Sequence, residues 1–327
     1  SQQLGELVKK IKNSKKGDYD CVIGVSGGID SSYVIIKAKE LGLSPLAVHL
    51  DNGWNTELAV HNIEKLLDKL DVDLITHVLE WEEFRDLQLS FLKASVINAE
   101  IPTDHAINAL LFKIASKKKI RYILSGSNVA TEAIMPEEYG GYDSFDWKHI
   151  KSIHNIFGTK KLSNYPHLSN FHWFYYTFVK SIKYVPFLNY FDFDKSKASK
   201  LLKEEFNWEL YPQKHYESFF TKFFQAYILP QKFNIDKRKA HFSCLINSGE
   251  LTRAEAVEKL GESLYDDQNL KSDINYFINK MNIDKDSFDT IMNKEPKSHF
   301  EYPNNLKLFR KFKSIVSFAK KTSTLRR

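Results

Sequence analysis

The sequence predicts an α/β protein in which a parallel sheet with helices on both faces is followed by a mainly helical second domain. Three observations support this fold class. A short apolar strand pattern, a Gly-Gly turn and a helical pattern follow one another over residues 20–32. Strand and helix patterns then alternate as far as residue 124, which is typical of a parallel sheet. From about Lys160, aromatic residues are frequent and helical spacing dominates.

Residues 20–32 have the pattern of an anion-binding turn. The apolar run 21–25 predicts a strand that is covered on both faces, and a helical pattern begins shortly after it. Between them stand Ser26, Gly27 and Gly28, and glycine has no Cβ atom to keep an anion from the backbone amides. The unpaired N–H groups and the positive dipole end of a helix N-terminus favour phosphate at such a turn.

This turn differs from the two common nucleotide-binding signatures. A Walker A motif requires a lysine after its second glycine and GxGxxG requires a third glycine, whereas the sequence here is SGGIDSS. We expect pyrophosphate to be cradled through N–H and O–H groups by Ser26, Gly27, Gly28, Ser31 and Ser32. Asp30 is predicted to hold Mg²⁺ against the phosphates, because like charges prevent a carboxylate from binding them directly. A Gly-Gly turn with no ligand is the alternative interpretation.

The SGGIDSS turn resembles the pyrophosphate loop of the ATP pyrophosphatases, which include asparagine synthetase, GMP synthetase, NAD synthetase and the tRNA-modifying thiolases. The resemblance implies an adenine nucleotide alpha hydrolase-like fold. It also implies cleavage of ATP between its α and β phosphates and activation of an oxygen as its adenylate.

The predicted elements of the first half alternate in type. In chain order they are helix 4–11, strand 21–25, helix 29–41, strand 45–50, helix 57–70, strand 74–79, helices 82–94 and 102–116, and strand 122–124. Ser26, Asp51 and Gly126 each follow one of these strands, at the edge where parallel sheets bind ligands. We expect the adenosine of ATP to lie beside Asp51, and the α-phosphate to approach the backbone at Gly126.

Length and composition predict two domains. The chain has 327 residues, so we expect an ATP pyrophosphatase domain over residues 1–159 and a helical substrate or partner domain over residues 160–327. The net charge is +6, but residues 304–327 contain eight basic and no acidic side chains, so the remainder carries −2. A basic final helix is more typical of a solvated face than of a nucleic-acid arm, so nucleic acid is not expected as a partner.

The two cysteines, Cys21 and Cys244, support neither a disulfide framework nor a zinc cluster and fit a reducing compartment. No signal peptide or long apolar run is present, so we expect a cytoplasmic protein without membrane insertion.

In the second half, Lys214 and Glu217 share one face of a predicted helical turn. We expect this segment to fold over the phosphate loop, with Lys214 at the transferring phosphate. A solvated lysine is the alternative.

Five further motifs narrow the resemblance to the N-acetyl sugar amidotransferases, relatives of asparagine synthetase in bacterial surface-polysaccharide and nonulosonic-acid pathways. They are DNGWN (51–55), IPTDHA (101–106), SGSNVATE (125–132), KHYES (214–218) and DKRKAH (236–241), which span nearly the whole chain. By this resemblance Asp104, Glu132, Lys214 and Glu217 are candidate catalytic residues.

The resemblance to these amidotransferases implies conversion of the acetamido group of a nucleotide-linked sugar into an acetamidino group. ATP and Mg²⁺ are the implied cofactors. Ammonia would come from glutaminase and channelling subunits that resemble imidazole glycerol phosphate synthase. Two other classes stay open: a tRNA-modifying ATP pyrophosphatase of the thiolase or lysidine type, and a nucleotide-binding module without catalysis. A thiolase would need a sulfur-carrying cysteine near the loop.

Overall fold

The computed structural model describes residues 2–129, 134, 136, 139, 144–211 and 216–306. These residues contain a five-stranded sheet in the order β3-β2-β1-β4-β5, with every neighbouring pair parallel. The strands are β1 Cys21–Gly24, β2 Pro45–Asp51, β3 Leu74–Val78, β4 Tyr122–Ser125 and β5 Lys183–Pro186. The predicted parallel sheet, followed by a mainly helical remainder, is confirmed.

The first five helices alternate with the strands much as the sequence predicts. They are α1 Gln2–Asn13, α2 Ile29–Glu40, α3 Glu57–Leu70, α4 Trp81–Ala94 and α5 Ile101–Lys117. The later described helices are Trp147–Phe157, Asn170–Phe174, Lys195–Phe206, Phe219–Phe223, Leu229–Phe233, Arg238–Ser248, Arg253–Gly261, Asp267–Met281 and Lys285–Asn293. Two of them continue as π-helices, Tyr175–Val179 and Phe224–Ile228.

The sheet separates two hydrophobic clusters, because successive side chains of a strand point to opposite faces. Val22 and Leu46 contribute to the cluster that contains the apolar faces of α4 and α5. Cys21, Ile23 and Ala47 contribute to the cluster that contains α2 and α3. All five side chains are at most 1% exposed, so β1 and β2 are covered on both faces as their continuous apolar runs predict.

The last strand, β5, was not predicted. It lies beyond residue 160, where sequence analysis found no strand alternation, and it pairs with β4 from Tyr122↔Lys183 to Ser125↔Pro186. Its residues are exposed except for Val185, so this short edge strand carries little apolar pattern. The division of the chain at residues 159 and 160 stays a prediction.

The order of the strands reverses at β1. From β1 the chain crosses to β2 and β3 on one side, whereas β4 lies on the other side of β1. In open parallel sheets the crevice for a ligand lies at such a switch point, beyond the carboxyl ends of the strands. Here the turn after β1 and the turn after β4 meet at that point.

Among the described helices, none combines the length and apolar character needed to cross a bilayer.

Candidate active site

The turn after β1 is built so that backbone approaches the start of α2 closely. Gly27 has φ +81°, a conformation that L side chains rarely adopt. A Cβ atom at Gly27 would also lie 2.9 Å from the Ala59 carbonyl oxygen of α3. Both the backbone angle and the contact with α3 therefore require glycine.

Among the described residues, no side chain caps the N-terminus of α2. Its N-cap residue is Gly28, whereas the Thr56 and Glu80 side chains cap α3 and α4 by accepting hydrogen bonds from backbone N–H groups. The first N–H groups of a helix have no partner within the helix, and the dipole makes that end positive. The free end of α2 at the switch point is therefore suited to an anion.

The serines of the loop have different roles. The Ser26 and Ser31 hydroxyl oxygens lie 3.3 Å apart, and Ser26 also accepts from the Gly28 N–H at 3.3 Å. Ser32 is 2% exposed and its hydroxyl donates to the Gly28 carbonyl at 2.9 Å. Ser26 is exposed and can reach a ligand, while Ser32 stabilises the first turn of α2. The sequence predicted that both hydroxyls contact phosphate, whereas the Ser32 hydroxyl is engaged within the turn.

Asp30 lies against the turn that follows β4. A Cβ atom at Gly126 would be 3.2 Å from the Asp30 Cβ and 3.1 Å from the Ser31 backbone nitrogen. Asp30 Oδ1 is buried, and no residue that the structure describes forms a hydrogen bond with it. An orphaned carboxylate oxygen beside a phosphate-type turn fits a hard cation such as Mg²⁺, which often uses only one or two carboxylates when phosphates supply the other ligands.

The end of β2 holds a hydrogen-bonded chain that the sequence did not predict. His49 is 5% exposed, its Nδ1 donates to the Val25 carbonyl at 2.8 Å, and its Nε2 accepts from Asn55 Nδ2 at 2.9 Å. Asn55 Nδ2 also lies 3.4 Å from Asp51 Oδ1, which accepts from the Gly53 N–H at 2.8 Å. His49 therefore joins the ends of β1 and β2, while Asp51 shapes its own turn.

Residues 209–211 form a strap across α3 that reaches the phosphate loop. Asn62 of α3 is fully buried, and its side chain exchanges two hydrogen bonds of 2.9 Å with the backbone N–H and carbonyl of Glu209. The Tyr211 hydroxyl donates to the Gly27 carbonyl at 2.9 Å. Burial raises the pKa of Tyr211 to about 12, so the hydroxyl keeps its proton for this bond.

Glu217 lies beside the loop. Its carbonyl accepts from the Thr56 N–H at 3.1 Å, and the Phe219 N–H donates to the Trp54 carbonyl at 2.9 Å, so the segment runs antiparallel to residues 54–56. A Cβ atom at Gly28 would lie 3.6 Å from Glu217 Oε1. The structure thus brings Glu217 to the phosphate turn. Lys214 and Glu132 lie outside the described residues.

A cavity of about 1020 Å³ opens beyond the ends of β1, β2 and β4. Among the residues predicted for the site, Ser26, Asp104, Gly126 and Glu217 line this cavity. The predicted residues that belong to the adjoining turns and do not line it are Gly27, Gly28, Asp30, Ser31, Ser32 and Asp51. His49 and Asn55 also line the cavity. Asn55 belongs to the DNGWN motif, whereas His49 lies in no predicted motif.

The wall opposite the phosphate loop is rich in paired charges. Lys237 lies 3.2 Å from Glu100, and Lys222 lies 2.6 Å from Asp273. Arg238 donates through Nε and a terminal nitrogen to Asp236 and also reaches the backbone carbonyls of residues 259, 260 and 262. Lys237 and Arg238 of the DKRKAH motif are thus held by carboxylates, and Arg238 also by a helix end, and both line the cavity.

The two cysteines do not line the cavity. Both are buried and free, Cys21 within β1 and Cys244 within the helix Arg238–Ser248. Burial raises the pKa of the Cys21 thiol well above its ordinary value. Because both thiols are buried and neither lines the cavity, neither cysteine is placed for sulfur transfer at this site.

A protein family model matches the second half of the chain. Residues 217–314 match the family "LPS biosynthesis protein WbpG-like, C-terminal domain". The matched region begins at Glu217 and includes Lys222 and the DKRKAH motif of the cavity wall.

A curated relative is the uncharacterized protein MJ1016 of Methanocaldococcus jannaschii, which is 28% identical over 127 residues. The match covers 38% of this chain and 41% of that relative, so the chain spans less than half of the relative's length. The name of this relative states no activity.

Two solved structures are similar in part. An NH3-dependent NAD synthetase from Campylobacter jejuni is 14% identical. The match covers 83% of this chain and 93% of the synthetase chain, with a TM-score of 0.37. An NMN synthetase from Francisella tularensis is 16% identical, covers 64% and 87%, and has a TM-score of 0.32. TM-scores this low establish no common function.

Proposed function

We propose that this chain is an ATP-dependent N-acetyl sugar amidotransferase, which converts the acetamido group of a nucleotide-linked sugar into an acetamidino group. The observation that carries the proposal is the uncapped N-terminus of α2 at the switch point of the sheet, next to the orphaned carboxylate oxygen of Asp30. The match to the WbpG-like domain, named for LPS biosynthesis, supports a sugar substrate from surface polysaccharide synthesis.

The phosphate end of the site would bind ATP. The backbone N–H groups of the turn and the Ser26 hydroxyl would hold the β and γ phosphates, and Asp30 would hold Mg²⁺, which neutralises the charge that develops on pyrophosphate. Gly126 leaves room for the α-phosphate. Asp51 and the Asn55 side chain lie where the sheet edge would receive the adenosine.

The reaction has two steps. The acetamido oxygen attacks the α-phosphorus, forming a P–O bond as pyrophosphate leaves. Ammonia then adds to the activated carbon, the C–O bond breaks, and AMP departs with the former amide oxygen. An amide is a poor electrophile until its oxygen becomes a good leaving group, so the site must align the substrates and exclude water between the steps.

The opposite wall of the cavity would bind the nucleotide-linked sugar. Lys222, Lys237 and Arg238 are cations held by carboxylates, an arrangement that can bind a diphosphate while the neighbouring acids accept hydrogen bonds from sugar hydroxyls. Glu217 lies between this wall and the phosphate turn, which suits a group that orients the acetamido nitrogen or the incoming ammonia.

Isotope labelling tests the proposed reaction. The protein is incubated with ATP, Mg²⁺, ammonium and a panel of UDP- and CMP-linked acetamido sugars whose amide oxygen is ¹⁸O, and the products are analysed by mass spectrometry. We expect AMP that carries the label, unlabelled pyrophosphate and a sugar with an amidine. ADP and orthophosphate as products, or unlabelled AMP, would contradict the proposal. Turnover that requires tRNA instead would favour the tRNA-modifying alternative.

Asp30→Asn tests the metal-binding role. The variant should fold normally and lose pyrophosphate release at least tenfold, because the carboxylate that holds Mg²⁺ against the phosphates is gone. Asp18→Asn removes an exposed carboxylate outside the cavity and serves as the matched control. Normal turnover by Asp30→Asn would place the metal elsewhere.

The proposed ammonia source is tested with the same assay. Ammonium salts should support turnover by the purified chain, whereas glutamine should do so only after a glutaminase is added. The proposed partner is therefore a glutaminase with a channelling subunit that resembles imidazole glycerol phosphate synthase. Glutamine-dependent turnover by this chain alone would contradict the need for a partner.

A further inference from the structure

One exposed apolar surface lies outside the proposed active site. Phe171, Phe174, Phe178 and Val179 are 74%, 49%, 51% and 63% exposed, and we call them the aromatic patch. They lie on one continuous helical segment, in which Asn170–Phe174 is α-helical and Tyr175–Val179 is a π-helix. The Phe174 and Phe178 rings are in contact, with centroids 5.0 Å apart. Clustered apolar groups on a surface usually mark a place of interaction.

The opposite face of this segment holds it on the protein. The Tyr176 ring stacks on Phe112 of α5 at 6.0 Å, and Trp173 packs against the same core cluster. The Ile182 N–H donates to the Tyr176 carbonyl at 2.9 Å, and Ile182 is buried. The aromatic patch is therefore presented outward by an anchored element.

The surroundings of the aromatic patch in the sequence are basic. Between Asp146 and Asp192 the chain has 45 residues with no Asp or Glu, while it has six lysines and no arginine. Lys180 and Lys183 follow the patch directly and are exposed. An apolar stripe followed in the chain by two exposed lysines complements a surface that is anionic outside and apolar within.

We propose that the aromatic patch docks this protein on the surface of an anionic membrane, without insertion of a spanning helix. The phenyl rings would enter the boundary between headgroups and acyl chains, and Lys180 and Lys183 would pair with lipid phosphates. Tyr184, the residue after Lys183, lines the cavity, so docking would hold the mouth of the cavity close to the bilayer.

Other occupants of the aromatic patch fit less well. In a symmetric dimer the patch would meet itself, and the lysines of the two copies would face one another. A nucleic acid would favour arginine forks and parallel stacking platforms, whereas this stretch has no arginine and includes an exposed valine. The basic segment 307–327 has the same sign of charge as Lys180 and Lys183, so charge repulsion disfavours it as the occupant.

Vesicle flotation tests the membrane proposal. The purified chain is mixed with vesicles of phosphatidylcholine alone, or with vesicles in which about a third is phosphatidylglycerol. We expect flotation only with the anionic vesicles, weakened by salt. F171S/F174S/F178S should lower the partition coefficient at least tenfold, and K180Q/K183Q should lower it by up to about 25-fold, at about fivefold per lysine. Val257→Ser, at a 63% exposed valine elsewhere, and K197Q/K200Q are the matched controls.

Several outcomes would overturn the proposal. It fails if the wild-type chain stays in the soluble fraction with both vesicle types, or if the triple phenylalanine variant floats as the wild type does. It also fails if that variant changes only the oligomeric state in size-exclusion chromatography, or only the affinity for RNA. ATP cleavage in solution should be unchanged in the variants, because the patch does not line the cavity, so the result is independent of the proposed function.

Discussion

At the scale of single residues, Gly27 is the position where the phosphate turn tolerates least change. Gly27→Ala introduces a Cβ atom 2.9 Å from the Ala59 carbonyl at a positive φ. We expect a loss of at least about 1–2 kcal/mol in the free energy of unfolding, and little or no increase in melting temperature when ATP and Mg²⁺ are added. Urea unfolding and thermal melts measure both.

The control for Gly27→Ala is Gly5→Ala in α1. A Cβ atom at Gly5 meets nothing within 4 Å, so this change should raise stability by up to about 1 kcal/mol through helix propensity. Equal effects of the two substitutions would contradict the steric argument.

The hydrogen-bonded chain from Val25 to Asp51 provides a second prediction. Asn55→Asp replaces the donor to His49 Nε2 with a carboxylate and puts that carboxylate beside Asp51. The lost bond and the like-charge contact should raise the KM for ATP about tenfold or more, equivalent to at least ~1.4 kcal/mol. Asn155→Asp, on the exposed face of Trp147–Phe157, should leave the KM unchanged. An unaltered KM in Asn55→Asp would mean that this chain does not shape the nucleotide site.

The sequence predicted the turn between β1 and α2, whereas the phosphate-binding role of its residues stays a prediction. The glycine pair between a strand pattern and a helical pattern indicates this turn, because Gly27 has a backbone angle that other residues rarely adopt. The role of His49 depends on its hydrogen bond to Val25, which lies 24 residues earlier in the chain. No local sequence pattern could therefore indicate it. The buried hydroxyl of Ser32 also appears only when the first turn of α2 is seen.

At the scale of elements, the strap of residues 209–211 joins the second half of the chain to α3 and to the phosphate turn. Asn62→Leu removes both hydrogen bonds to the Glu209 backbone and should cost about 1–3 kcal/mol of stability. Amide exchange at residues 209–211 should become faster, because the strap then opens locally.

The exposed Asn269 bonds only to Asp266 of its own helix in the described contacts, so Asn269→Leu should change neither stability nor exchange at the strap. If Asn62→Leu leaves exchange at residues 209–211 unchanged, Tyr211 and the chain after it hold the strap without α3. The sequence predicted that the adjacent KHYES segment, with Lys214 and Glu217, folds over the loop; the strap of residues 209–211 was not predicted. The residue that holds the strap on α3 is Asn62, a single buried asparagine, and no sequence pattern marks it.

At the scale of the whole molecule, three buried histidines should make stability fall in acid. Burial lowers the pKa of His105 to about 4, that of His149 to about 3 and that of His299 to about 4, from an ordinary 6.5. Below pH 6.5 these histidines bind protons in the unfolded chain, whereas in the folded chain they stay neutral until a lower pH. Stability is therefore complete above pH 6.5 and is lost as the pH falls towards 4, by up to about 1.4 kcal/mol per pH unit for each histidine.

His149→Phe isolates one of these protons. The His149 ring stacks on His299 with centroids 3.7 Å apart, and neither of its nitrogens has a hydrogen-bond partner in the described structure, so phenylalanine should fit without loss at pH 7. Urea midpoints at pH 7, 6 and 5 should show a shallower acid dependence in the variant. A dependence as steep as that of the wild type would assign the effect to other groups.

The parallel pairing of β5 with β4 limits how the gene can be divided for expression. A fragment that stops at residue 159 would expose the outer edge of β4, and a bare edge invites pairing with another copy and precipitation. A fragment extended through Tyr190 would retain β5 and the short helical turn after it. Fragments intended for crystallisation or for nuclear magnetic resonance should therefore end after that turn.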